Sequence, residues 1–229
     1  MKTVAIVVLS GGLDSSTCAY MAKKSGLNII PVHFNYGQKT LKKELKCFND
    51  ICDSLNLPHK DRYEIDLPFF TDVGCSSLTD TNMIVPTSGI NSSVPSTYVP
   101  FRNGIFLSIA SAVAIKHSAT QIHIGIVQED GSGYPDCTKE FITKQQECIN
   151  EGVKPSQKIS LITPLLNKTK KDITLIAIKL KVPIDKTWSC YKNELVACGL
   201  CDSCRLRLDG FKKAGLNDSI EYITKVLDT

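Results

Sequence analysis

Residues 4–9, VAIVVL, are aliphatic at every position and run directly into Ser10-Gly11-Gly12 and a stretch that opens Leu13-Asp14-Ser15-Ser16-Thr17-Cys18. A strand apolar on both faces has to be covered on both faces, as a parallel strand inside an α/β sheet is. The alternation then repeats. NIIPVHFNYG predicts a second strand, KTLKKELKCFNDICDSLN a second helix with apolar residues three and four apart, and YEIDLP a short third strand. NGIFLSIASAVAIKHS predicts a helix apolar on most faces and therefore central, followed by a buried strand, QIHIGIV, and a helix, CTKEFITKQQECINEG. SLITPLLNKTKKDITLIAIKLKV adds a short strand and a helix starting near Lys168, and a short helix follows a cysteine cluster. The expected fold is α/β, a parallel sheet with helices on both faces. Ligands in such sheets bind at the carboxyl ends of the strands, so the turn after VAIVVL is the first candidate site. Residues 71–100, rich in Ser, Thr, Asn and Pro, are long for a structureless loop and read as functional or mobile, a lid being one form of that.

Glycine lets the backbone turn sharply and lets a ligand approach, because no Cβ stands in the way. The first amides of the following helix have no intrahelical partner, and the helix dipole favours an anion there. Ser10 and Ser15 add hydroxyls, so the stretch suits phosphate. Asp14 fits beside an anion if it holds a magnesium ion that bridges phosphate oxygens. No Gly-Lys-Ser/Thr follows, and G-x-G-x-x-G is absent, so this is neither a Walker loop nor the dinucleotide fingerprint. The plain alternative is an ordinary strand-to-helix turn with Asp14 as a cap.

The second feature is CYKNELVACGLCDSC, in which Cys190, Cys198, Cys201 and Cys204 follow the spacing C-x7-C-x2-C-x2-C. Four thiolates on short spacers can close a tetrahedron around one structural Zn²⁺, with no coordination position left for catalysis. Free or redox-active thiols are the bland reading, and an iron–sulfur cluster is the other metal reading. The remaining six of ten cysteines are scattered, and the four histidines form no metal constellation. Cysteine use of this kind, with no apolar run long enough to cross a bilayer and no secretory cleavage pattern, points to the cytoplasm. The formal net charge of +4 over 229 residues is too mild to predict nucleic-acid binding.

The string SGGLDSS resembles the pyrophosphate loop of the ATP pyrophosphatases, S-G-G-x-D-S. The chain as a whole resembles the 7-cyano-7-deazaguanine synthase family of queuosine precursor synthesis. It carries SGGLDS, NYGQ, SSLT, VPFRN, SGYPDC, TPL with Lys170 downstream, TWSCY, and CGLCDSC followed by Arg205, Arg207 and GF, in that order. The resemblance implies a Rossmann-like fold of the adenine nucleotide alpha hydrolase type. It implies a pyrophosphatase domain over residues 1–185 with a small zinc-bound segment, residues 186–229, packed on it. It also implies a homodimer, and the conversion of 7-carboxy-7-deazaguanine, ammonia and two ATP, with Mg²⁺, to 7-cyano-7-deazaguanine. The implied ATP-binding stretch runs from Val8 and Leu9 through the loop to Cys18, and Asp14 and Lys170 are the implied catalytic residues. A lysine in a helix's first turn opposes the dipole, which favours a functional use over a solvated side chain.

Other motif residues fall at strand ends and are assigned to the base. Tyr36 and Gln38 end the second strand, where Gln38 can bond a base or carboxylate or simply sit in an exposed turn. Arg102 and Asn103 precede the central helix, and Arg102 can pair with a carboxylate or phosphate or be a surface cation. Tyr134 can stack on a purine-like ring, Asp136 can accept from its N–H groups, and Cys137 is either reactive or a small apolar filler. Three positions depart from the family pattern, which usually has glycine at Phe101, arginine at Thr138 and Arg-His at Lys39-Thr40. They leave open a paralogue that passes the adenylated carboxylate to another amine and stops at an amide. A tRNA-modifying thiolase, or another amide-forming synthetase, would keep the loop with a different substrate. A zinc-stabilised nucleotide sensor would bind ATP without releasing pyrophosphate.

Overall fold

The computed structural model describes residues 3–87, 94–127 and 133–224. Five parallel strands, β1 (Val4–Val8), β2 (Asn28–Asn35), β3 (Tyr63–Asp66), β4 (Gln121–Ile124) and β5 (Ser160–Ile162), form one sheet in the order β3-β2-β1-β4-β5. The order reverses at β1, so the turn after β1 lies at the switch point, where a crevice opens between diverging connections. The helices are α1 (Leu13–Lys24), α2 (Leu41–Ser54), a short α3 (Phe69–Val73), α4 (Arg102–Lys116), α5 (Lys139–Glu151), α6 (Lys170–Lys179) and α7 (Asp202–Lys213).

β1 shows why its sequence is apolar throughout. Ile6 and Val8 pack with Leu107 and Ala110 of α4 on one face. Val7 and Leu9 pack with Phe48 and Ile51 of α2 on the other. Successive side chains of a strand point to opposite faces, so a strand between two helical layers has no polar side to offer. Pro31 sits inside β2 without breaking the sheet. Leu9 donates its N–H to the Val32 carbonyl at 2.9 Å, so Val32 faces β1 and Pro31 faces β3. Pairing with β3 begins only at Val32–Tyr63, so the missing N–H falls below the start of that strand.

Two expected boundaries shift. α6 starts at Lys170 rather than near Lys168, because Thr169 is its N-cap and closes a capping box with Asp172. α7 does not follow the cysteine cluster but begins within it, with Cys201 as N-cap and Cys204 in the first turn. Among the described residues of the long Ser/Thr/Pro segment, regular structure is confined to α3, and Ser77 N–H to the Ser96 carbonyl at 2.7 Å joins the parts on either side. Residues 88–93, the middle of the expected lid, lie outside the described residues.

Candidate active site

The glycine turn is held by sterics. Gly11 has φ +85°, and a Cβ there would stand 2.7 Å from the Phe48 amide nitrogen and 2.8 Å from the Glu44 carbonyl oxygen of α2. Only glycine allows α2 to lie that close. Within the turn Ser10 and Ser15 serve each other, with their hydroxyls 2.9 Å apart. The Ser10 and Gly12 amides donate to these hydroxyls, Ser10 to Ser15 and Gly12 to Ser10, each at 3.2 Å. Gly12 is the N-cap of α1 and no side chain caps the helix, so its first-turn amides present the positive end of the dipole to the crevice.

Asp14 and Lys170 meet across this N-terminus, with Nζ donating to Oδ2 at 2.6 Å. The second oxygen, Asp14 Oδ1, is buried and accepts no hydrogen bond. An orphaned carboxylate oxygen beside a phosphate-type turn fits a divalent cation. Lys170 is pressed into place by α7, since a Cβ on Gly210 would stand 2.8 Å from the Lys170 Cβ and 3.0 Å from its carbonyl oxygen.

A cavity of about 220 Å³ opens over this turn. Val8, Leu9, Ser10, Gly12, Leu13, Asp14 and Ser15 line it, together with Lys170, Tyr36, Arg102, Asn103, Tyr134 and Cys137. Gly11 faces α2 instead. Ser16, Thr17 and Cys18 lie behind the turn in the core, where burial pushes the Cys18 thiol up to about 12. Arg102 donates from Nη1 to the Tyr36 hydroxyl at 2.9 Å, and burial raises that phenol to about 12, so it remains neutral.

Two expected base contacts do not line the cavity. Asp136 Oδ2 accepts the Asn103 amide at 2.9 Å and so caps the start of α4. Gln38 is buried; its oxygen accepts the Tyr36 amide at 2.8 Å and its nitrogen donates to Glu44 at 3.2 Å. Glu44 itself does line the cavity. KKELK reads as a charged face, yet Glu44 is in register with the buried Phe48 and Ile51, four and seven residues further on, which is the signal that places it inward. Trp188, Ser189, Tyr191, Ser203 and Leu206, which carried no assigned role in the sequence, line the cavity as well and form a wall of their own.

Those five residues come from the cysteine segment. The sulfur atoms of Cys190, Cys198, Cys201 and Cys204 all lie within 4.8 Å of one another and all four residues are buried. Backbone amides of Cys198 at 3.3 Å and of Lys192 and Asn193 at 3.4 Å point at the Cys190 sulfur. The Cys201 and Cys204 thiols donating to it hold Cys190 far below the usual thiol range. Four converging sulfurs with amide donors around them fit a metal ion. The segment is stitched to the loop side by the Trp188 amide, which donates to the Gly11 carbonyl at 3.0 Å, and by Glu194, which accepts the Lys42 amide at 2.9 Å and caps α2.

The three departures from the family pattern sit at helix starts. Phe101 is the N-cap of α4 in the left-handed region, φ +54°, where glycine carries no strain, and its ring covers Gly104. Thr138 caps α5 by accepting the Phe141 amide at 3.1 Å. Thr40 is the N-cap of α2 and donates to Glu44 at 2.7 Å, while Lys39 reaches the Met83 carbonyl.

The model of the queuosine biosynthesis protein QueC matches residues 4–215. A 7-cyano-7-deazaguanine synthase of Nautilia profundicola is 59% identical over 96% of this chain and 99% of its own. One of Aliarcobacter butzleri is 58% identical over 95% of each. Among solved structures, a predicted subunit of a tRNA methyltransferase from Methanocaldococcus jannaschii aligns with a TM-score of 0.51 at 17% identity, over 99% of this chain and 94% of that one. It shows the same fold and nothing of the activity.

Proposed function

The chain belongs to the QueC family of queuosine biosynthesis proteins, with the activity of a 7-cyano-7-deazaguanine synthase, and on that premise we propose how its residues carry out the reaction. The uncapped start of α1 with the Asp14–Lys170 pair across it is the observation that carries the proposal. The amides of Leu13, Asp14 and Ser15 hold the diphosphate end of ATP, and Lys170 stabilises the charge that develops at the α-phosphorus. Asp14 would hold Mg²⁺, which supplies charge neutralisation at the phosphates. Cys190, Cys198, Cys201 and Cys204 would hold a structural zinc ion.

A carboxylate is a poor electrophile. One oxygen of 7-carboxy-7-deazaguanine attacks the α-phosphorus, the P–O bond to pyrophosphate breaks, and an acyl adenylate forms. Ammonia attacks the acyl carbon, AMP leaves with the carboxylate oxygen, and the amide remains after loss of a proton. The amide oxygen then attacks a second α-phosphorus. Loss of the amide protons and expulsion of AMP give the nitrile. Each half expels pyrophosphate, and a turn built to hold it serves both halves. Tyr36, Arg102, Asn103, Tyr134 and Cys137 face the base from the cavity wall, while Asp136 and Gln38 act from behind by fixing α4 and Glu44.

The transfer of the adenylated acid to another amine is not favoured. The synthase name is carried by relatives at 59% and 58% identity, and Phe101, Thr138 and Thr40 have local roles at helix starts. On the resemblance alone, we read residues 186–229 as an appendage on a 1–185 domain, and the protein as a cytoplasmic homodimer. No helix of the described residues is long and apolar enough to cross a membrane. Incubation with the carboxydeazaguanine, ATP, Mg²⁺ and ammonia tests the reading. Mass spectrometry is expected to show the nitrile with two AMP and two pyrophosphate per product. An amide end product, or ADP, overturns it.

A further inference from the structure

Glu44 stands on the cavity wall without a task in the chemistry above. Two donors from the turn before α2 hold its carboxylate, Thr40 Oγ1 to Oε1 at 2.7 Å and Gln38 Nε2 to Oε2 at 3.2 Å. Gln38 is itself locked by the Tyr36 amide. A carboxylate oxygen has two lone pairs, so each oxygen keeps one acceptor site after these bonds. Burial pushes the group up from the ordinary carboxylate range, and the bonds from Thr40 and Gln38 pull it back toward the charged form. Beyond the Tyr36 ring lies Arg102, 5.2 Å from its centroid, and its Nε is buried with no hydrogen-bond partner. The cavity lining also includes Phe34 and Phe106, whose rings stack on each other at 4.0 Å. A held carboxylate, an unpartnered guanidinium nitrogen and aromatic walls together suit a planar base with two adjacent N–H donors and a carbonyl beside them.

We propose that Glu44 determines specificity for the base: its two oxygens accept the ring N1–H and the 2-amino N–H of a guanine-type edge, Thr40 and Gln38 hold the carboxylate for that purpose, and Arg102 Nε donates to the neighbouring carbonyl. The inference rests on the reading that the substrate is a deazaguanine. It also separates the two purines that enter the cavity. The adenine of ATP presents a lone pair at ring N1 and has no 2-amino group, so it meets a carboxylate with repulsion rather than two hydrogen bonds. This end of the cavity therefore takes the base and leaves the adenine to another wall.

Steady-state kinetics on the metal-loaded protein test it, using 7-carboxy-7-deazaguanine and its 2-desamino analogue. In the unaltered protein, kcat/KM falls by about 100-fold or more when the 2-amino group is removed, because a buried acceptor is left unpaired. In Glu44→Gln, KM for the base rises by a similar factor, KM for ATP stays within about threefold, and the two bases become nearly equivalent. Equal use of both bases by the unaltered protein overturns the inference, and so does a Glu44→Gln protein whose KM shifts for ATP alone. The analogue arm needs no variant, so a poorly folded Glu44→Gln protein does not blunt the test. Failure to turn over the carboxydeazaguanine at all brings down the functional reading itself. Turnover without discrimination removes only the role of Glu44.

Discussion

The two walls of the cavity are built on different principles. The wall formed by β1, its turn and α1 consists of regular elements, and its precision comes from packing: α2 presses against Gly11 so closely that a methyl group does not fit. The wall formed by Trp188, Ser189, Tyr191 and Ser203 belongs to a segment with little regular structure besides α7. That wall is ordered by four clustered sulfurs, by the bridge between Ala197 and Tyr222, and by the Trp188 and Glu194 contacts. A close-packed wall resists everything except a change of volume. Four clustered sulfurs fit a metal ion, and a wall ordered around one would depend on the ion as well. The cysteine cluster is therefore more than a tether for the C-terminal segment, since that segment supplies five of the residues that line the cavity.

Metal removal breaks this contrast most severely. Chelation should raise hydrogen exchange throughout residues 187–224 while β1, β2 and β4 stay protected, and activity should vanish with the lost wall. Equal exposure of the sheet, or an unaffected cysteine segment, would contradict the division. Gly210→Ala probes the point where the second wall steers the first. The new methyl group meets Lys170 at 2.8 Å, so kcat should fall by roughly 10²-fold, with KM for the base changed much less. Loss of about 1–3 kcal/mol of stability, read by denaturant midpoint, should accompany it. Full activity would mean that the position of Lys170 does not matter. Phe101→Gly should do least. It relieves a left-handed residue worth about 1–2 kcal/mol and gives up the ring's contacts with Gly104 and Phe141. Net stability should move by no more than about 1 kcal/mol, with both KM values unchanged. A large change in KM for the base would place Phe101 among the substrate-facing residues.

The same contrast explains what the sequence made legible. VAIVVL and SGGLDSS announce their structure because burial on both faces and a glycine turn leave few alternatives, and the four cysteines announce theirs by spacing. Glu44 is masked by its neighbours Lys42, Lys43 and Lys46, although it lies four and seven residues before the buried Phe48 and Ile51, on the apolar stripe of its helix. Its partners, Gln38 and Thr40, come from a turn whose closure no local pattern encodes. Asp136 looked like a base contact because it follows a buried strand, but the start of α4 had amides to satisfy and no capping side chain of its own. Trp188 and Tyr191 carried no assigned role in the sequence because the path of an irregular segment is set by the cysteine cluster and not by periodicity.

Attack at the α-phosphorus by an oxygen of the substrate's own carboxylate is the step on which both halves of the reaction depend. Labelling both carboxylate oxygens with ¹⁸O tests this directly, with the AMP and any inorganic phosphate analysed by mass spectrometry after turnover. Two AMP per nitrile, each carrying one labelled oxygen, is the predicted result. Label appearing in inorganic phosphate together with ADP would contradict it.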